Sequence, residues 1–125
     1  MTTGMTTSQP DARAEALVGA YERAGYRRVA PPILQPAEPF LDLSGEEIRK
    51  RIYLTADANG RELCLRPDLT IPVSCDYLAS QASGSPQGFC YLGPVYRDRG
   101  ALPAEIFQAG IESFGRSDKA AADAE

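Results

Sequence analysis

The chain contains no histidine. That removes His-based activation of a nucleophile and the nitrogen ligand most zinc sites rely on. Cysteine is scarce: Cys64, Cys75 and Cys90 stand 11 and 15 residues apart, with no C-x-x-C pair. An odd count without a secretion signal points to reduced thiols and a cytoplasmic protein. The apolar neighbours of all three predict small buried hydrophobes. No apolar run approaches the roughly 18 residues that suggest a membrane span, so no membrane is expected. Residues 1–9 are rich in Thr and Ser, lack an apolar signal region, and read as a disordered leader. Basic residues never cluster beyond Arg49-Lys50-Arg51, and the formal net charge is −4. Nucleic-acid binders carry a basic footprint, so nucleic acid is not expected as a partner. No phosphate-binding glycine loop and no metal-ligand spacing occurs, so neither cofactor nor metal is expected.

What is present fits one α+β domain. The 125 residues allow a single domain, and a 43% hydrophobic content can supply its core. Ser8 and Pro10 open a helix whose apolar stripe is Ala14, Leu17, Val18 and Tyr21, stopped by Gly25. Residues 26–30 form a short strand, and Pro31-Pro32 then holds the backbone extended at a sheet edge or interface. Residues 33–43 read as irregular. Ser44 and Glu47 suggest a capped helix at about 45–50. Residues 51–55 and 61–66 are strands joined through Asn59-Gly60, a hairpin signal because both residues tolerate positive φ. Asp68 or Thr70 caps a helix that runs to about Ser80 and buries Ile71, Cys75 and Leu78. Residues 89–97 and 104–114 are long strands that pair antiparallel across a turn. From Ser117 onward a helix starts with no stop signal, so residues 10–125 are expected to be the first part of a larger domain.

Alternation on the last strand puts Ile106, Gln108, Gly110, Glu112 and Phe114 on one face. Gln108 and Glu112 then flank a gap at Gly110, about 13 Å apart at four residues' rise. That is either the floor of a ligand site or a solvated face with a bulge at Gly110. Arg97, ending the preceding strand, is either a bidentate clamp for a carboxylate or phosphate, or a surface partner of Glu105 or Asp98. Asp68 and Thr70 either cap the helix or aim their oxygens at an ammonium group; the two are compatible.

Taken in order, these segments resemble the class II aminoacyl-tRNA synthetase core, histidyl branch. The match runs from Tyr21 to Gly115. The segment Tyr26 to Leu34 resembles motif 1, a dimer-interface element, which implies a homodimer. Leu65-Arg66-Pro67-Asp68-Leu69-Thr70 resembles the family's Arg-Pro-Glu-Gly-Thr, whose acid and threonine hold the amino group of histidine. Gly93-Pro94-Val95-Tyr96-Arg97 resembles motif 2, whose arginine meets carboxylate or α-phosphate. Gln108 and Glu112 fall where the family binds the amino group and the imidazole. The implied fold is an antiparallel sheet flanked by helices, a partial class II domain. The implied ligand is L-histidine, held by Asp68, Thr70, Arg97, Gln108 and Glu112.

The departures separate two branches of that family. Motif 2 normally continues with x-Glu, which helps place ATP; here Asp98-Arg99 follows. Ala104 replaces the arginine expected before the return strand. ATP activation needs fixed positive groups around phosphate, and that set is dismantled here. Motif 3 does not occur within these 125 residues, which fits either truncation before it or its loss. A kept amino-acid pocket beside a broken ATP site resembles the regulatory-subunit family of ATP phosphoribosyltransferase. That resemblance implies no catalysis and no tRNA charging. The implied partner is the short-form catalytic subunit, at the first step of histidine biosynthesis. The alternatives are a divergent histidyl-tRNA synthetase and a generic amino-acid-binding or dimerisation module.

Overall fold

Two ten-residue strands, β6 (Gln87–Tyr96) and β7 (Glu105–Phe114), form the spine of the protein in this computed structural model. The structure describes residues 2–7, 12–80 and 83–115. The spine pairs antiparallel without a register break, from Gln87 opposite Phe114 to Tyr96 opposite Glu105. A bulge at Gly110 is thereby overturned. Elements precede the spine in the order β1 (Thr2–Thr7), α1 (Ala12–Arg23), β2 (Arg27–Arg28), β3 (Leu34–Pro36), α2 (Ala37–Leu43), α3 (Glu46–Arg49), β4 (Leu54–Ala56), β5 (Glu62–Leu65) and α4 (Thr70–Ala79). The main sheet has the order β1-β7-β6-β2, and a smaller one the order β3-β5-β4. All pairings are antiparallel except the short β2, which runs parallel to β6.

Helices cover both faces of the spine. Strand periodicity sends alternate residues to opposite sides. Cys90, Ala109 and Ile111 meet Val18 of α1 on one side. Tyr91, Val95 and Ile106 meet Leu69 and Val73 on the other. Tyr77 of α4 stacks on Phe114, with ring centroids 4.4 Å apart and planes 9° apart. Its hydroxyl donates to Ser85 O at 2.8 Å and accepts from Gly84 N–H, which fixes the loop entering β6. Gly25 ends α1 at φ 103°, a backbone state that side chains resist.

Several expectations need correction. Residues 2–7 are not a disordered leader; they form β1, paired along β7 from Thr2 opposite Glu112 to Thr7 opposite Phe107. The long β7 offers a second edge of hydrogen-bonding groups, and a Thr-rich segment suits a strand. The remaining leader positions, the helix start at Ser8 and Pro10, and the terminal helix from Ser117 lie outside the described residues. Residues 33–43 are ordered as β3 and α2, because Ala37 and Phe40 pack on Cys64 one helical turn apart. Ser44 closes α2 instead of capping α3, whose N-cap is Gly45. In the hairpin only Gly60 takes positive φ, and Asp57 organises the turn by accepting from Asn59 and Arg61 N–H at 2.9 Å. The buried face of α4 is Pro72, Val73 and Tyr77, while Leu78 is 67% exposed. Cys64 and Cys90 are buried as expected, but Cys75 is only half-buried. Burial pushes the Cys64 thiol up to about 11, so it stays protonated and weakly nucleophilic.

Candidate functional site

The polar face of β7 is not solvated. Glu112 is 3% exposed and bonds to Tyr91, whose ring packs with Leu69 and Val73. The antiparallel register sets Tyr91 directly opposite Gly110, between Gln108 and Glu112 on the neighbouring strand. The Tyr91 hydroxyl donates to Glu112 Oε1 at 3.1 Å. It also hydrogen-bonds to the Thr70 side chain. Burial, acting before its neighbours, pushes the phenol far above its ordinary range, so it remains a donor at any physiological pH.

The junction from β5 to α4 brings the remaining groups. Asp68 Oδ1 accepts from Ile71 N–H at 3.0 Å, which caps the first turn of α4. Gln108 Oε1 accepts from Leu69 N–H at 2.8 Å, tying the junction to β7. Arg97 Nε donates to Pro67 O at 2.8 Å, tying the same junction to the end of β6. Arg97 also lies close enough to Asp68 to favour its charged form. Burial is the larger effect, and it raises the Asp68 carboxyl above the usual carboxylate range.

The structure therefore brings Thr70 and Glu112 onto one tyrosine and ties Asp68, Arg97 and Gln108 to the junction beside it. The surface alternative for Arg97 fails, because its Nε is held by Pro67 O, and Glu105 accepts instead from Tyr96 OH at 2.8 Å. Neither Asp68 nor Thr70 is the N-cap, which is Leu69, but Asp68 caps the helix from one residue earlier through Ile71 N–H. A partly buried carboxylate beside a guanidinium also presents adjacent opposite charges, which suits the zwitterionic head group of an α-amino acid. A buried carboxylate on a hydroxyl, as at Glu112, suits a ligand N–H deeper in the site.

Sequence reasoning missed Tyr91 and Arg66. Tyr91 was read as part of an apolar strand; pairing β6 with β7 across their short turn would have set it opposite Gly110. Arg66 is 4% exposed and donates Nε–H to Pro94 O at 2.8 Å and Nη1–H to Pro31 O. The nearby turn at 98–103 is bonded within itself. Gly100 N–H donates to Asp98 Oδ1 at 3.1 Å, and Arg99 Nη1 donates to Pro103 O at 3.0 Å.

A cavity of about 550 Å³ lies elsewhere, between α1 and the other face of the spine near Tyr21, Tyr26 and Gly88. Size favours that cavity, but chemistry favours the Asp68–Glu112 cluster, where charged and polar side chains converge. Among the described residues no cluster of His, Cys, Asp and Glu could hold a metal ion. No helix among them is long and apolar enough to cross a membrane.

Comparison with known proteins gives this arrangement relatives. The histidyl-tRNA synthetase family model matches residues 5–125. The ATP phosphoribosyltransferase regulatory subunit of Rhizobium meliloti (strain 1021) is 49% identical over 108 residues, covering 86% of this chain and 28% of that protein. The protein of the same name from Mesorhizobium japonicum is 48% identical over 118 residues, covering 94% of this chain and 31% of that protein. Among solved structures, the histidine–tRNA ligase subunit of Alicyclobacillus acidocaldarius is similar with a TM-score of 0.68 and 26% identity, over 96% of this chain and 37% of that one. Histidyl-tRNA synthetase of S. aureus shares the fold with a TM-score of 0.69 at 22% identity, over 87% of this chain and 26% of that one. The chain spans under a third of the length of these curated relatives.

Proposed function

The chain belongs to the histidyl-tRNA synthetase family, and from that premise we propose that the protein carrying it is a non-catalytic regulatory subunit of ATP phosphoribosyltransferase. It assembles with the short-form catalytic subunit in the cytoplasm and enables the first step of histidine biosynthesis. The observation that carries this reading is a contrast within one face of the molecule. Thr70 and Glu112 meet at Tyr91 beside Asp68, while the side chains of Asp98 and Arg99 are spent inside their own turn. Ala104 stands where the synthetases carry an arginine, so one of the positive groups that ATP activation needs is missing from this face. Relatives that bear the regulatory-subunit name at 49% identity support the same branch.

The ligand of the cluster is L-histidine. Asp68, Thr70 and Gln108 receive its ammonium, Arg97 its carboxylate and Glu112 its imidazole. Binding biases the assembled complex wherever one conformation of it holds histidine more tightly than another. The segment at 26–34 forms a homodimer contact. Titration calorimetry of the full-length protein with L-histidine tests the sensing role, and absence of heat at saturating ligand would remove it without touching assembly. The rival reading, a divergent histidyl-tRNA synthetase, draws on the synthetases that share the fold. Histidine-dependent exchange of pyrophosphate into ATP would establish that rival.

A further inference from the structure

Arg66 carries a buried charge with no carboxylate to balance it. None of the ion pairs among the described residues includes it. Burial accordingly pulls its pKa down from the ordinary guanidinium value. An interior cation is costly unless its donors find acceptors, and here backbone carbonyls accept from Nε and Nη1. Those carbonyls belong to two separate places. Pro31 lies in the segment that precedes β3, and Pro94 lies in β6.

The backbone of Arg66 makes the same connection. Its N–H donates to Ile33 O at 3.0 Å, and its carbonyl accepts from Tyr96 N–H at 2.9 Å. The docking site is an open edge. β2 pairs with β6 only at Phe89 and Cys90, so the second half of β6 has no strand on that side among the described residues. Pro94, which has no N–H, is tolerated in β6 for that reason. Arg66 takes the place of the missing strand. The fit is close at Gly93, where a Cβ would stand 2.7 Å from Arg66 Nη2 and force the end of the guanidinium to shift. Immediately after Arg66 come Pro67, held by Arg97, then Asp68, and Leu69, held by Gln108.

We propose that Arg66 is the positioning residue of the site, transmitting the placement of the 31–33 segment to Asp68, Leu69 and Thr70. It links the smaller sheet to the spine and sets the junction in register with Gln108 and Glu112. A shift of the 31–33 segment, in a dimer or a complex, then moves the site directly. The inference deepens the reading given above and rests on it for the identity of the ligand.

The test uses the full-length protein with Arg66→Lys and, separately, Gly93→Ala. Lysine keeps the charge but cannot fork between two carbonyls. Alanine keeps the arginine and displaces its Nη2. Hydrogen exchange is followed at Leu69 and Ile71 N–H, which report the bonds to Gln108 and Asp68, and at Ile111 in the spine as reference. Both variants are expected to speed exchange at 69 and 71 by roughly tenfold or more over any change at 111. Equal acceleration at all three would mean general destabilisation and would overturn the role, as would no change. Should Arg66→Lys fail to fold, Gly93→Ala decides alone by the same comparison. Histidine titration of the same proteins separates the two readings. A wild-type protein that binds no histidine removes the ligand assignment, while the exchange pattern still decides the role of Arg66. Where wild type binds, variants with unchanged affinity overturn the transmission.

Discussion

A single carboxyl, Asp68, is held in the folded chain at an electrostatic cost. Burial raises its pKa above the ordinary 3.8. A carboxyl raised in the folded state contributes stability that is full below its unfolded value and is lost as pH rises through the folded one. At neutral pH, then, ionised Asp68 is a cost to the free protein and an asset only when a ligand ammonium faces it. Asp68→Asn keeps an acceptor for Ile71 N–H, so thermal unfolding at pH 7 should show a midpoint equal to or above wild type. Histidine affinity should fall in the same variant by about tenfold or more, the scale of a lost charged hydrogen bond. In wild type, calorimetry across acid pH should show affinity lost as pH drops through the Asp68 value. Deeper in the site, Glu112→Gln should weaken histidine binding by ~1–3 kcal/mol. Tyr91→Phe withdraws a donor from the buried Glu112 and should cost a similar ~1–3 kcal/mol of stability, read by urea denaturation. Gln108 and Glu112 were legible in the sequence because strand alternation alone puts them on one face. Tyr91 was not, because its role depends on which residue it opposes on another strand.

The helix α4 is the element that closes the site, and it is anchored by its far end. Tyr77 stacks on Phe114 and its hydroxyl holds both Ser85 and Gly84. Tyr77→Ala removes a large buried ring and should cost ~3–5 kcal/mol, measured by chemical denaturation. Tyr77→Phe keeps the stack and isolates the hydroxyl, at ~1–3 kcal/mol for the two polar groups it abandons. The sequence showed that this helix existed and where it began. Its buried face was misread because apolar residues at Ile71, Cys75 and Leu78 form as regular a stripe as Val73 and Tyr77 do. Only the aromatic partners on β6 and β7 decide between the two faces. The same reasoning explains β1. Thr-rich residues carry little apolar signal, and a strand recruited by the free edge of β7 is specified by its partner, not by its own pattern. By contrast, the β6–β7 hairpin was legible almost to the residue, since two long β-rich runs flank a short Gly- and Pro-containing turn.

At the scale of the whole molecule, two sheets meet along Arg66 and along the pairing of Arg51 with Asp98. Asp98 N–H donates to Arg51 O at 2.8 Å, and Arg51 Nη1 returns a bond to Asp98 O at 3.2 Å. Asp98, which follows the arginine of the motif 2-like segment, is here part of a joint between sheets. With a formal charge of −4 the chain also offers no general attraction for a polyanion. The α+β class was legible from the order of elements, whereas the joint was not, because it is built from backbone carbonyls of Pro31 and Pro94 that carry no side-chain signature. The central claim is tested most directly by the rate of phosphoribosyl-ATP formation by a matched short-form catalytic subunit, with and without the full-length protein that carries this chain. The account predicts strong stimulation on addition; an unchanged rate with both proteins folded would contradict it.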